Sequence, residues 1–190
     1  MKQVTILVIA LFFLTLNSSN GQEKKEPLKI TDFEFKSVFG ATAKEPKNNY
    51  CLLGTGFFRA PSSANSDSLI TAWVKAHPKA IVVPVSSLRQ VETNDPELTF
   101  TYCWVIDNKD TLNNYLIKNG SFPGGTMMRP KTWNEMEKWE QELYEDTDER
   151  PDVKVFIDKK TYDNFIEQVK SAEKFARENK LGVWLKEIDD

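Results

Sequence analysis

Few residues in this 190-residue chain are of types that do chemistry by themselves. His77 is the single histidine, and it precedes Pro78 at the end of a helical stretch, which marks it as a helix terminus and not a general base. With no CxxC and no Cys/His cluster, a zinc site of the usual kind is not expected. Cys51 and Cys103 both lie in strand-like sequence, NNYCLLGTGFF and LTFTYCWVID. In an oxidising compartment they could form a single disulfide. As small hydrophobes they could equally be two buried free thiols. The acidic run from Glu135 to Asp152 lacks the Asp-x-Asp-x-Asp-Gly loop that fixes a calcium cage, so it reads as a solvated helix face. Phe122-Pro123-Gly124-Gly125-Thr126 could offer backbone N–H groups to an anion, but Gly-Gly more commonly means a turn. Trp133 and Trp139 read as packing residues of an inserted helix before they read as a ligand surface. Asn119-Gly120-Ser121 fits a glycosylation sequon, and a helix C-cap explains it as well.

The N-terminus sets the expected compartment. Lys2 is a short basic n-region, Val4 to Leu16 is mostly apolar, and Ser19-x-Gly21 has the small-x-small spacing of a cleavage site. Residues 1–21 are therefore expected to be a signal peptide, and the mature chain to begin at Gln22. The apolar run is shorter than the roughly 20 residues of a permanent anchor. No cysteine at the cleavage site supports lipid attachment. The expectation is an exported protein, periplasmic or extracellular, with no membrane contact after cleavage. About 170 residues then remain, enough for one domain with a sizeable core. The full-length net charge is −3, and losing Lys2 makes the mature chain slightly more acidic. That balance disfavours nucleic acid as a partner, because non-specific binding rests on Lys and Arg neutralising phosphates.

The elements that must position these residues follow from periodicity and punctuation. Residues 22–49 form an N-terminal segment with a candidate first strand around Phe33 and Phe35, and then a loop. Tyr50 to Phe58 reads as a strand interrupted by Gly54 and Gly56. Ser66 or Asp67 should cap a helix running to Lys75, with Ile70 and Trp73 on its apolar face. Ala80 to Val85 is a β-branched strand in which Pro84 implies an edge or a bulge. Thr99 to Ile106 is another strand. Asp110 or Thr111 should cap a short helix that Asn119-Gly120 ends in the left-handed region. Thr132 with Glu135 makes a capping box for an inserted acidic helix. Val153 to Ile157 is a short strand. Asp158 caps the last helix, whose stripe is Tyr162, Phe165, Ile166, Val169, Ala172 and Ala176.

Two stretches carry a resemblance. One is Asn113-x-x-Leu116-Ile117-x-x-Gly120. The other, more specific, is Ala172-Glu173-x-x-Ala176-Arg177-x-x-Lys180-Leu181-Gly182-Val183-Trp184. Together with the order of elements from Asp67 onward, they resemble the staphylococcal nuclease family. The resemblance covers roughly half of the mature chain, and it implies a five-stranded OB-type β-barrel with three helices. Here the inserted acidic helix is added, giving an α+β domain over residues 50–190 with its insert at 124–152. In that family two arginines bracket a phosphate, carboxylates hold calcium, and the signature is Arg, four residues, then Asp-(Ala/Thr)-Pro-Glu. The matching stretch here is Arg59-Ala60-Pro61-Ser62: Arg59 stands for the metal-binding Asp and Ser62 for the general-base Glu. Gly54 stands for the first arginine, and Leu98 or Thr99 for the second.

No catalytic residue and no metal ligand carry over. Arg59, Ser62 and Arg129 remain as candidate binding residues. The functional expectation is an exported nuclease-like domain without the family's catalysis, acting on an unknown protein or small ligand and needing no cofactor. One alternative is a divergent calcium-dependent nuclease, the only reading in which calcium enters. A second alternative is a structural or inhibitory envelope protein.

Overall fold

The computed structural model describes residues 27–36, 38–55, 62–89, 97–124, 128–145 and 150–186. The expectations about export and cleavage, and the candidate Arg59, lie outside these residues. Among the described residues no helix is long and apolar enough to cross a membrane.

The protein is α+β, with one curled sheet and several helices. Its strands are β1 (Leu28–Lys29), β2 (Phe33–Lys36), β3 (Phe39–Thr42), β4 (Asn48–Leu52), β5 (Ile81–Arg89), β6 (Thr99–Asp107), β7 (Asp110–Thr111) and β8 (Val153–Val155). They run in the order β1-β5-β6-β4-β3-β2, with β7 added to β6 and β8 to β5. The β4–β6 pair is parallel and the others are antiparallel. A 3-10 turn at Ile30–Asp32 carries the chain from β1, paired with β5, into β2, paired with β3. One stretch of chain thus reaches both ends of the sheet, which nearly closes into a barrel. Eight strands stand where five were expected. The 3-10 turn splits the N-terminal strand, β3 forms where a loop was expected, and β7 is a short addition to β6, while β8 is the short strand expected after Asp152.

Alternation along the strands separates two cores. Leu52, Val82, Cys103 and Val105 share one cluster with Ile70 and Trp73 of α1 (Ser66–Ala76) and with Leu112 and Leu116 of α2 (Leu112–Lys118). Tyr102 and Trp104 point the other way, under Phe165, Ile166 and Val169 of α4 (Lys159–Glu178). All six expected stripe residues of α4 are buried, and Asp158 caps it by accepting from the Thr161 N–H. Thr111 caps α2 in the same way through the Asn114 N–H. In α1, by contrast, Asn65 occupies the N-cap position and Ser66 opens the first turn. The inserted helix is shorter than its capping box suggested. After a 3-10 turn at Trp133–Glu135, Met136 is extended, and a second capping box, Glu137 with Glu140, starts α3 (Lys138–Glu142). Trp184 is 7% exposed, with the Arg177 guanidinium carbon 3.9 Å from its ring centre.

Both cysteines are buried free thiols. Leu52 is the register partner of Cys103, and Cys51 that of Tyr102. The two cysteines are therefore one residue out of register and not cross-strand partners, although their strands are neighbours and both lie in one core cluster. Burial pushes the Cys51 thiol up to about 12 and raises that of Cys103 as well.

Candidate functional site

The barrel is open at the end where β5 leaves β1 and takes up β8. Val82 and Ile81 pair with β1, whereas Ser86, Ser87 and Leu88 pair with β8. Pro84 lies between them and has no N–H to donate. A bulge between Pro84 and Ser86 bends the strand at this point, in agreement with the edge or bulge expected from the sequence. The opening leads into a cavity of about 690 Å³.

Register decides what lines it. Paired residues share a face of the sheet, so Lys154 of β8, Ser87 of β5, Thr101 of β6 and Tyr50 of β4 form one row. Arg89, Thr99 and Asn48 form the next. The floor is a connected polar network. The Tyr50 hydroxyl donates to Glu45 Oε2 at 2.5 Å, and Asn48 Nδ2 donates to the same oxygen at 3.0 Å. Thr101 Oγ1 donates to Asn48 Oδ1 at 2.8 Å. Burial, and then the Glu45 carboxylate, raise the Tyr50 hydroxyl far above its ordinary range, so it stays a proton donor. The walls are apolar, from Leu28, Val82, Val83 and Pro84, with Phe156 54% exposed at the rim. A second cavity of about 390 Å³ shares Ser87, Thr99 and Lys154 with the first and adds Arg89, Glu97 and Asp152. An apolar-walled recess with a few convergent polar groups is the usual form of a small-ligand site.

Ser62 and Arg129, singled out from the sequence, lie elsewhere. Ser62 is exposed ahead of α1. Arg129 is committed within the fold: its guanidinium makes two parallel bonds to Glu135, Nη1–Oε2 at 2.8 Å and Nη2–Oε1 at 2.5 Å, and lies over the Tyr162 ring. It fastens the inserted segment to the start of α4. His77 caps the C-terminus of α1 as expected. It also stacks on Trp73 and sits 2.9 Å from Asp107 Oδ2 through Nδ1, which ties α1 to the end of β6. Among the described residues no group of three or more His, Cys, Asp or Glu side chains is placed to hold a metal ion. Sequence reasoning missed Glu45, Asn48, Ser87 and Thr101. The available signal was polar side chains at alternate positions of otherwise apolar strands: Asn48 before Tyr50, and Thr99 before Thr101.

The Arg129–Glu135 pair gives a pH prediction. The guanidinium holds the Glu135 carboxyl down at about 2. A carboxyl depressed in the folded state stabilises above its unfolded value, and the contribution is lost as pH falls from about 4.5 toward 2. The Glu135 side chain is 41% exposed, so solvent screening leaves roughly 1 kcal/mol of it. The gap between urea midpoints of the wild type and Glu135→Gln should be full at pH 7, narrow below about pH 4.5 and close near pH 2. A difference that is the same across this range would remove the ion pair as its cause.

No family model matches the chain, and no curated protein matches it.

Proposed function

We propose that this chain is an exported nuclease-like barrel that has lost phosphodiester hydrolysis and works by binding a ligand in the open end of the sheet. The observation that carries the reading is the Glu45–Asn48–Tyr50–Thr101 network on the floor of an apolar-walled cavity. The network is part-buried and its groups are paired with one another, so it gives the recess an ordered polar floor between apolar walls, the arrangement that orients a small ligand.

The strand order supports the OB-type part of the proposal. With β1 and β2 taken as one strand broken by a 3-10 turn, five main strands remain. Their third and fifth members, β4 and β6, are parallel, and α1 lies between the third and fourth. Fold does not fix function, and the loss of catalysis rests on residues. Gly54, which the resemblance puts in the place of the first arginine, has φ +88°, and a Cβ there would lie 3.1 Å from Ile117 Cδ1 and 3.4 Å from Val169. A side chain there would be strained by the left-handed backbone and crowded by Ile117 and Val169. Thr99 offers no charge in place of the second.

The test is hydrolysis of single- and double-stranded DNA and RNA by the purified full chain, with calcium and with EDTA. Removing one charge-stabilising donor alone can cost about 10²–10³ in rate, and here several roles lack a residue, so activity should fall below ordinary detection. Calcium-dependent cleavage that follows the protein through several columns, and that Arg59→Ala abolishes, would overturn the proposal and promote the nuclease alternative.

A further inference from the structure

We infer that the open end of the barrel is a groove for a short neutral oligosaccharide, with Phe156 as the platform for one sugar ring and Ser87, Asn48 and Thr101 as hydrogen-bonding floor. This rests on the reading of the cavity as a ligand site and names the ligand class.

Four observations favour a carbohydrate. The two cavities share Ser87, Thr99 and Lys154, so the recess continues from one into the other, as a chain of more than one ring requires. The groups along it are mixed in kind: hydroxyls that both donate and accept (Ser87, Thr99), an amide (Asn48), a carboxylate (Asp152) and cations (Arg89, Lys154). Sugar hydroxyls also donate and accept, so such a set can be matched group by group. The charges offset one another, since Asp152 and Glu97 lie beside Arg89 and Lys154. A polyanion such as single-stranded nucleic acid would want an excess of cations here. A plain acyl chain would leave the Ser87 and Thr99 hydroxyls facing hydrocarbon, which is unfavourable. Finally, Phe156 directly follows β8, its N–H donates to the Val85 oxygen at 2.9 Å, and it lines the first cavity together with Lys154. Its ring is half exposed at the rim, where an aromatic face can take the C–H face of a pyranose.

The experiment is an NMR titration of the full chain with cellobiose, di-N-acetylchitobiose and maltotriose, with hexathymidylate and octanoate as comparison probes. At least one sugar should shift the amides of Ser87, Thr101, Lys154 and Phe156. Phe156→Ala should weaken that binding about tenfold, and Phe156→Trp should restore it, because a flat aromatic face is what the site uses. Phe156 is exposed enough for both variants to keep the wild-type melting curve. If octanoate or hexathymidylate shifts these amides and no sugar does, the carbohydrate inference is overturned while the ligand site stands. If no probe shifts them, both fall. Sugar binding that Phe156→Ala leaves unchanged would also overturn the inference.

Discussion

Gly120→Ala should destabilise the protein by about 3–5 kcal/mol, at the upper end of what single substitutions do. Gly120 follows α2 with φ +68°, and a Cβ built there would lie 2.0 Å from the carbonyl oxygen of Leu181 and 2.4 Å from its carbon. These are backbone atoms and cannot rotate away. The partner position is equally tight: Gly182 has φ +55°, and its Cβ would lie 2.0 Å from the Gly120 oxygen. The two glycines let the ends of α2 and α4 meet backbone to backbone, with the Val183 N–H donating to the Gly120 oxygen at 2.9 Å. Alanine would meet both the left-handed penalty, on the order of 1 kcal/mol, and an overlap relieved only by parting the helices. Gly40→Ala is the contrast. Its nearest neighbour is the edge of the Phe35 ring at 2.8 Å, a side chain that can shift, so about 1 kcal/mol is expected. Urea denaturation followed by circular dichroism compares the two. A Gly120→Ala cost no larger than that of Gly40→Ala would mean that the helix ends are not locked.

This lock shows which parts of the fold were legible in the sequence. Asn119-Gly120 carries its message locally: α2 stops, and glycine takes the left-handed residue that follows; after α4 Lys180 takes that position, and Gly182 lies two residues further on. The α4 stripe and the Asp158 and Thr111 caps are also local, and all three form as expected. The candidate site is not local. Thr101 meets Asn48 across 53 positions of sequence, and nothing in either segment names the other. The row Lys154–Ser87–Thr101–Tyr50 depends on three strand registers and on the bulge after Pro84. A slip of one residue in any of them would turn its members to the opposite face. Glu45 lies in a stretch that composition marks only as a loop. Its role comes from the turn between β3 and β4, where the Glu45 N–H donates to the Thr42 oxygen and the Asn48 N–H to the Glu45 oxygen. The number of strands differs for a related reason, since the turn at Ile30–Asp32 interrupts an alternating pattern and β3 forms where composition marks only a loop.

Asn113 holds the register on which the site depends, and Asn113→Ala should cost about 3–5 kcal/mol. The side chain is fully buried at the start of α2. Its Oδ1 accepts from the Val105 N–H at 2.9 Å, and its Nδ2 donates to the carbonyl oxygens of Leu53 at 2.8 Å and Cys103 at 3.1 Å. One amide thus joins the residue after β4 to the middle of β6, where the two strands run parallel. Truncation strands the Val105 N–H and takes the amide away from the Leu53 carbonyl, at about 1–3 kcal/mol for each group left unsatisfied, while the Cys103 carbonyl keeps the Leu53 N–H at 2.8 Å. Aspartate separates this account from simple loss of volume. It has the same shape, but its second oxygen would face the Leu53 and Cys103 carbonyls without a proton to offer. Buried and set against two carbonyl dipoles, that carboxyl would be raised above its ordinary value. A carboxyl raised in the folded state stabilises less as pH climbs through its unfolded value near 4. At pH 7 the order of stability should be Asn, then Ala, then Asp. Near pH 4 the gap between Asp and Ala should close, because a protonated carboxyl can donate one bond. Urea midpoints for the three proteins at both pH values decide the matter. If Asp and Ala keep the same separation at pH 4 and pH 7, or if Ala costs less than about 1 kcal/mol, the amide is not the clamp between β4 and β6.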